Sequence, residues 1–343
     1  MLIISFSGGK YWQDPGPFNN GFKGLCSVFV NAAFAFAGTE LVGLAAAETT
    51  NPKRSLPTAV KQVFWRITLF YIISLLLVGL LVPYNNKNLL IGGSADAAAS
   101  PFVISIKSAG IEVLPSVMNA VILIAVLSVG NSSIFGSSRT LAALAEQGQA
   151  PKFLGYIDRK GRPLAAIGVA STIGLVAYAA DSGAEGTVLD WMLALSALSS
   201  IFTWGSICLA HIRFRRAWKL QGHTLDELAF RSQSGVIGSW IGFIFNCLVL
   251  VAQFWVGAWP VGYGTESGAA QADNFFLNYL AAPIVILFYL GYKFWFRTPF
   301  MRCKDMDLQT GIRMQLHLPE LLAEERAEQA AWPRWKKAYK HVC

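Results

Sequence analysis

The chain has 343 residues, five cysteines and a formal charge of +8. Only 14% of its residues are charged and its mean hydropathy is +0.45, whereas ordinary globular domains carry about 25% charged residues; a conventional soluble fold is excluded on those grounds. Lys and Arg lie between long apolar runs rather than on one basic face, which argues against a nucleic-acid partner. Cys26, Cys208, Cys247, Cys303 and Cys343 have no metal-ligand spacing and predict no disulfide framework.

The first residues, MLIISFSGG, are too short and too poorly charged for a signal peptide and look like the end of a membrane span. Residues 1–24 are therefore expected to be a span remnant and an external loop. A helix needs roughly 20 mainly apolar residues to cross the hydrocarbon core. Seven stretches qualify, at 25–47, 63–82, 113–138, 164–181, 188–211, 236–259 and 275–296. Segments such as NPKRS, VPYNNK, RKGRP, DSGAEG and GYGTESG are expected to be loops. Helices are the expected form, because in lipid each backbone polar group must be satisfied within the segment. The ten-residue alternation of a membrane barrel is not seen. The fold class is thus all-α and polytopic, with a membrane domain at 25–296 and a tail at 297–343.

Alternate loops differ sharply in positive charge. One set of sides holds Lys10, Lys23, Lys87 and Lys107, and the other holds the remaining 24 of 28 Lys and Arg. Positive residues stay cytoplasmic, so the chain is expected to start outside and to end with a cytosolic tail.

Within the first span, NAAFAFAGTELVGLAAAE places Glu40 eight residues before Glu48, hence about 12 Å deep if helical. A mid-membrane carboxylate costs about 2.5–3.5 kcal/mol on insertion scales, and protonation lowers that cost. Two readings follow: a proton-coupling acid, or a structural carboxylate bonded to a neighbouring helix. Gly38, Gly43 and the alanines suit either an interrupted span lining a cavity or a tightly packed continuous one.

The third span ends in VLSVGNSSIFGSSRT, where Asn131, Ser132 and Ser133 face an aqueous path or bond across helices. The fifth carries Ser196, Ser199, Ser200 and Thr203 at helical spacing, pointing to one hydroxyl face or to bonds back to the helix's own carbonyls. Gly238 and Gly242 form a GxxxG in the sixth. No hydrolase, P-loop or metalloprotease motif is present, and neither an enzymatic activity nor a cofactor is expected. His211, His223, His317 and His341 lie at span ends, in loops or in the tail.

Four runs carry a family likeness. FAFAGTELVGLAAAETTNPKRSLPTAVKQVFWRI resembles the sixth helix and following loop of fungal amino acid permeases, of the amino acid–polyamine–organocation superfamily. VILIAVLSVGNSSIFGSSRTLAALAEQGQAPKFLGYIDRKGRP looks like their eighth helix and LALSALSSIFTWGSICLAHIRFRRAWKLQG like their tenth. The ending PRWKKAYKHVC is similar to the tail of general amino acid permeases.

The resemblance implies a LeuT-type permease fold of which this chain carries helices six to twelve, lacking the first inverted repeat. It also implies proton-coupled amino acid uptake across the plasma membrane. The family's sixth helix would break between Phe34 and Thr39, so that Phe34, Ala35, Phe36, Ala37, Gly38 and Thr39 line the substrate. Backbone carbonyls there would accept from its ammonium, Phe34 or Phe36 would form a lid, and Glu40 would be the proton-linked acid. Asn131, Ser132, Ser133, Ser199, Ser200 and Thr203 would border the same substrate, and Pro52 and Arg54 would shape an inner gate. The Gly-rich first helix that holds the substrate carboxylate in the family is not in this sequence, so this chain alone is expected not to transport. The alternatives are a seven-span receptor, for which no DRY-like or NPxxY motif is found, and a non-transporting amino acid sensor. In the tail, LPELLAEERAEQAAW has the spacing of a short amphipathic helix or of a solvated segment, and Cys343 is a candidate for acylation.

Overall fold

The computed structural model describes residues 8–45, 52–91, 100–182, 185–228, 232, 234–261, 263–264, 267–308 and 331–333. Residues 1–7, the amphipathic stretch at 318–330, His317, His341 and Cys343 lie outside them. The described residues form helices joined by turns and loops, with no strand among them. Among the described residues, ten of the α-helices carry the fold. They are α1 (Gly21–Phe34), α2 (Leu41–Ala45), α3 (Pro52–Leu81), α4 (Pro101–Ser108), α5 (Leu114–Glu146), α6 (Leu164–Gly174), α7 (Glu185–Leu220), α8 (Gly235–Ala258), α9 (Gly268–Tyr279) and α10 (Ala281–Trp295).

Four segments are long and apolar enough to cross a membrane as single helices: Ser55–Leu81, Leu114–Glu146, Val188–Leu220 and Gly235–Ala258. None of the apolar window of the first two is buried inside the protein. Leu69, Phe70, Ile72, Leu75 and Leu77 stand exposed on successive turns of α3. Such a continuous apolar face is stable against lipid and not against water. The protein is a multi-pass membrane protein.

Three of the seven predicted spans are not simple rods. Residues 25–47 divide into α1 and α2, joined by turns over 35–40. Residues 164–181 form a short α6 and then a 3-10 stretch, Leu175–Ser182. Residues 275–296 fall on α9 and α10, bent by 58°. The cause of that bend is in the sequence. Pro283 has no N–H to donate four residues back, and its ring crowds that carbonyl.

Three helices also run past the predicted spans. NPKRS, expected to be a loop, is helical from Pro52, because Pro suits the first turn where no donor is needed. Likewise α5 continues through Arg139 to Glu146, and α7 through Arg213 to Leu220. Hydropathy stops at the first charge, whereas helical hydrogen bonding continues beyond it.

The chain divides into two compact units. One comprises Met1–Asn19, Gly38–Glu48 and Arg66–Met192. In it α5 packs on α4 and α6, with Ala145, Leu154 and Ala166 forming a small core. The Trp12 indole N–H donates to the Gly79 carbonyl at 3.0 Å. The other comprises Asn20–Ala37, Thr49–Trp65 and Leu193–Cys343. Its core is Val30 of α1, Ala197, Leu198 and Ile201 of α7, Val249 of α8, and Ala281 and Ala282 of α10.

Candidate functional site

The break in the first span is built from local bonds. At the end of α1, Ala35 N–H donates to Ala32 O and Phe36 N–H to Ala33 O, so the helix tightens to three-residue spacing as it stops. Gly38 follows at φ +92°, a conformation that an L side chain rarely adopts. Leu41 N–H then donates to Gly38 O and Gly43 N–H to Glu40 O, both at 3.0 Å, and α2 begins. The Glu40 carboxylate folds back on the break: Gly38 N–H donates to its Oε2 at 3.1 Å. The acid is half-buried. The helix is interrupted at 35–40, so the continuous helix of the second reading is not present.

The unit boundary falls between Ala37 and Gly38. Phe34, Ala35, Phe36 and Ala37 belong with the second unit, Gly38, Thr39 and Glu40 with the first. In the first unit α2 rests on α5. The contact is made by Leu41 on Gly136, where an added Cβ would lie 2.7 Å from Leu41 Cδ2. Gly136 is buried, and Asn131, Ser132 and Ser133 stand exposed on the same helix before it. Ser132 Oγ donates to Ser128 O at 3.0 Å and Ser133 Oγ to Val129 O at 2.9 Å. Of the two readings of these hydroxyls, bonding across helices is not the one seen: both bond within their own helix.

In the second unit Val30, one turn before Phe34, packs with Ala197, Leu198 and Ile201. The helix that α1 packs on is α8, and α7 shares this core along the stretch that carries Ser199, Ser200 and Thr203. Ser199 Oγ donates to Leu195 O at 2.7 Å, Ser200 Oγ to Ser196 O at 3.0 Å and Thr203 Oγ1 to Ser199 O at 3.0 Å. All three hydroxyls bond back to their own helix, which leaves their lone pairs as acceptors.

Two features escaped the sequence reading. Gln253 of α8 is 3% exposed, and its Nε2 donates to Asn278 Oδ1 at 3.1 Å and Asn278 O at 3.3 Å, beside the α9–α10 bend. Leu41–Gly136 is the other. Nothing in the composition of SVGNSSIFGSS distinguishes Gly136 from Gly130. Among the described residues no group of His, Cys, Asp and Glu is placed to hold a metal, and Cys26, Cys208, Cys247 and Cys303 are free thiols.

The amino acid permease family model matches residues 4–305. The chain belongs to the amino acid permease family. It is 54% identical over 348 residues to the general amino-acid permease GAP1 of Saccharomyces cerevisiae, covering 98% of this chain and 57% of the relative. It is 56% identical over 344 residues to the general amino-acid permease GAP2 of Candida albicans, covering 98% and 58%. The S-adenosylmethionine permease GAP4 of Candida albicans is 48% identical over 327 residues, 94% of this chain and 52% of the relative. The chain thus spans a little over half the length of the curated relatives it matches. No solved structure matches it.

Proposed function

We propose that this permease chain works in proton-coupled uptake of amino acids across the plasma membrane, in the LeuT-type arrangement of its family. In this reading the seven apolar segments are the family's helices six to twelve, and the C-terminal tail is cytosolic. The strong asymmetry of Lys and Arg between alternate loops supports that orientation. The observation that carries the functional reading is the interrupted first span, with Gly38 at φ +92° and the Glu40 carboxylate accepting its N–H. A broken helix inside a membrane presents backbone polar groups that a substrate's charged ends can satisfy.

On this reading the backbone of Phe34 to Thr39 receives the substrate ammonium, Phe34 or Phe36 covers it, and Glu40 takes up and releases the coupling proton. Asn131, Ser132 and Ser133 on α5 and Ser199, Ser200 and Thr203 on α7 are the candidate polar contacts. The hydroxyls donating back to their own helices would meet an ammonium as acceptors. Substrate class comes from the general amino-acid permeases among the relatives, while the S-adenosylmethionine permease is named for a different substrate. Family membership favours transport over a receptor or a sensor.

The test is uptake of radiolabelled amino acids by permease-deficient cells. They would express this chain behind the portion of a general amino-acid permease that it does not match. Uptake that rises as external pH falls is the expected result. No uptake by a chimera that reaches the cell surface would refute the reading.

A further inference from the structure

The last helix of the second unit does not simply run out into solvent. After α10 ends at Trp295, residues 298–306 lie along the C-terminal end of α7. The Arg213 guanidinium donates to the Met301 carbonyl and lies over the Phe300 ring, 4.8 Å from its centroid. Gln221 Nε2 donates to Met306 O at 2.8 Å, two turns further along α7. Lys293 Nζ closes the start of the strap by donating to Thr298 O at 3.2 Å. These ties hold the strap to the helix over about 12 Å.

The depth of this strap follows from helix length. The span Val188–Leu220 has 33 residues, about 50 Å of helix, against roughly 30 Å of hydrocarbon. Counted from Val188, the apolar core is crossed near Cys208, so Arg213 to Gln221 pass through the headgroup layer. The strap passes through it beside them.

The surface there is predominantly positive. Residues 213–221 and 293–308 hold eight Lys and Arg against Asp305 and Asp307. Arg216, Lys219, Arg297, Arg302 and Lys304 are exposed. Among the described residues none of these five forms an ion pair. Exposed Phe294, Trp295, Phe296 and Phe300 adjoin them, and Trp at such a level marks the membrane–water interface.

We propose that the strap and the end of α7 form a binding surface for anionic phospholipid headgroups of the leaflet on the C-terminal side. The exposed rings lie among the acyl-chain ends and the five cations take the phosphate and carboxylate oxygens. This rests on the membrane placement of the chain and not on transport, so a lipid measurement tests it whether or not the transport reading holds.

The experiment compares phosphatidylserine with phosphatidylcholine binding to the purified full chain. The expected result is preference for phosphatidylserine by tenfold or more, falling by up to about fivefold with the first cation neutralised and reaching equal binding as Arg216→Gln, Lys219→Gln, Arg302→Gln and Lys304→Gln are combined. Neutralising Arg159 and Lys160, in a loop of the first unit, should leave the preference unchanged. A salt series on the unaltered chain needs no variant to fold: the preference should collapse as the Debye length falls from about 10 to 3 Å. Equal binding of the two lipids, a preference that survives either the four substitutions or salt, or an equal loss in the loop control would overturn the proposal.

Discussion

Leu41 sits directly on the bare Cα of Gly136: a methyl group added to that glycine would stand 2.7 Å from Leu41 Cδ2 and 3.2 Å from Cδ1. The short helix after the break is thereby seated on the long helix α5 by one leucine on one glycine. Gly136→Val should displace Leu41 and destabilise the protein by about 1–3 kcal/mol, the usual range for overpacking. Gly136→Ala should cost less, because alanine in a helix recovers about 0.5–1 kcal/mol over glycine. Leu41→Ala in the Gly136→Val background should recover part of the loss. The readout is the thermal midpoint of the detergent-solubilised protein in a double-mutant cycle; strictly additive losses would refute the contact.

Gly38 meets no steric obstacle, since a Cβ there finds only Leu41 Cδ1 at 3.7 Å. Its requirement is conformational. At φ +92° an L residue is strained by roughly 1–2 kcal/mol. Gly38→Ala should therefore lower the thermal midpoint although it fills empty space. An unchanged midpoint would mean that the turn at 35–40 is not held as described.

Gln253 supports the bend between α9 and α10. Its Nε2 donates twice to Asn278, while its Oε1 is buried with no partner among the described residues. Gln253→Ala strips Asn278 O and Oδ1 of a donor, and should cost about 1–3 kcal/mol. Pro283→Ala restores a backbone donor and should straighten the span. Spin labels at Gln271 and Leu290 would register that as a longer separation.

Asp158 gives a pH dependence outside the spans. Its Oδ2 accepts from Arg162 Nη2 at 2.7 Å and from Nε at 2.9 Å, and its Oδ1 accepts from the N–H groups of Arg162 and Lys160. The Arg162 guanidinium, foremost among these donors, holds the carboxyl below the usual carboxylate range. A depressed folded value stabilises this loop at pH above the unfolded value of about 3.9, and that contribution is lost as pH falls through the folded value. The protection of the Lys160 and Arg162 amides, measured against the intrinsic exchange rate at each pH, should accordingly hold at neutral pH and be lost only on acidification below about pH 4. Asp158→Asn should make exchange faster at neutral pH and remove the acid step.

The sequence carried the long apolar helices plainly, because roughly 20 uncharged residues leave few alternatives. It carried their ends poorly. Pro52 to Ser55, Arg139 to Glu146 and Arg213 to Leu220 are charged or polar and yet helical, since the membrane fixes where apolar residues stop and not where hydrogen bonding stops. The break at 35–40 was ambiguous from composition, because Gly and Ala serve close packing as well as they serve a turn; only the resemblance to permeases located it. The serine hydroxyls were ambiguous for a similar reason, as a helix offers its own carbonyls four residues back. Leu41–Gly136 and Gln253–Asn278 were not legible at all. Each joins residues far apart in the chain, and no local pattern marks either member.

The account turns on Glu40, and the most direct test is proton flux per amino acid taken up, with and without Glu40→Gln, in the chimera described above. The account predicts that Glu40→Gln abolishes the dependence of uptake on external acid and uncouples proton entry from amino acid entry. Acid-driven, proton-linked uptake at the unaltered ratio in Glu40→Gln would contradict it.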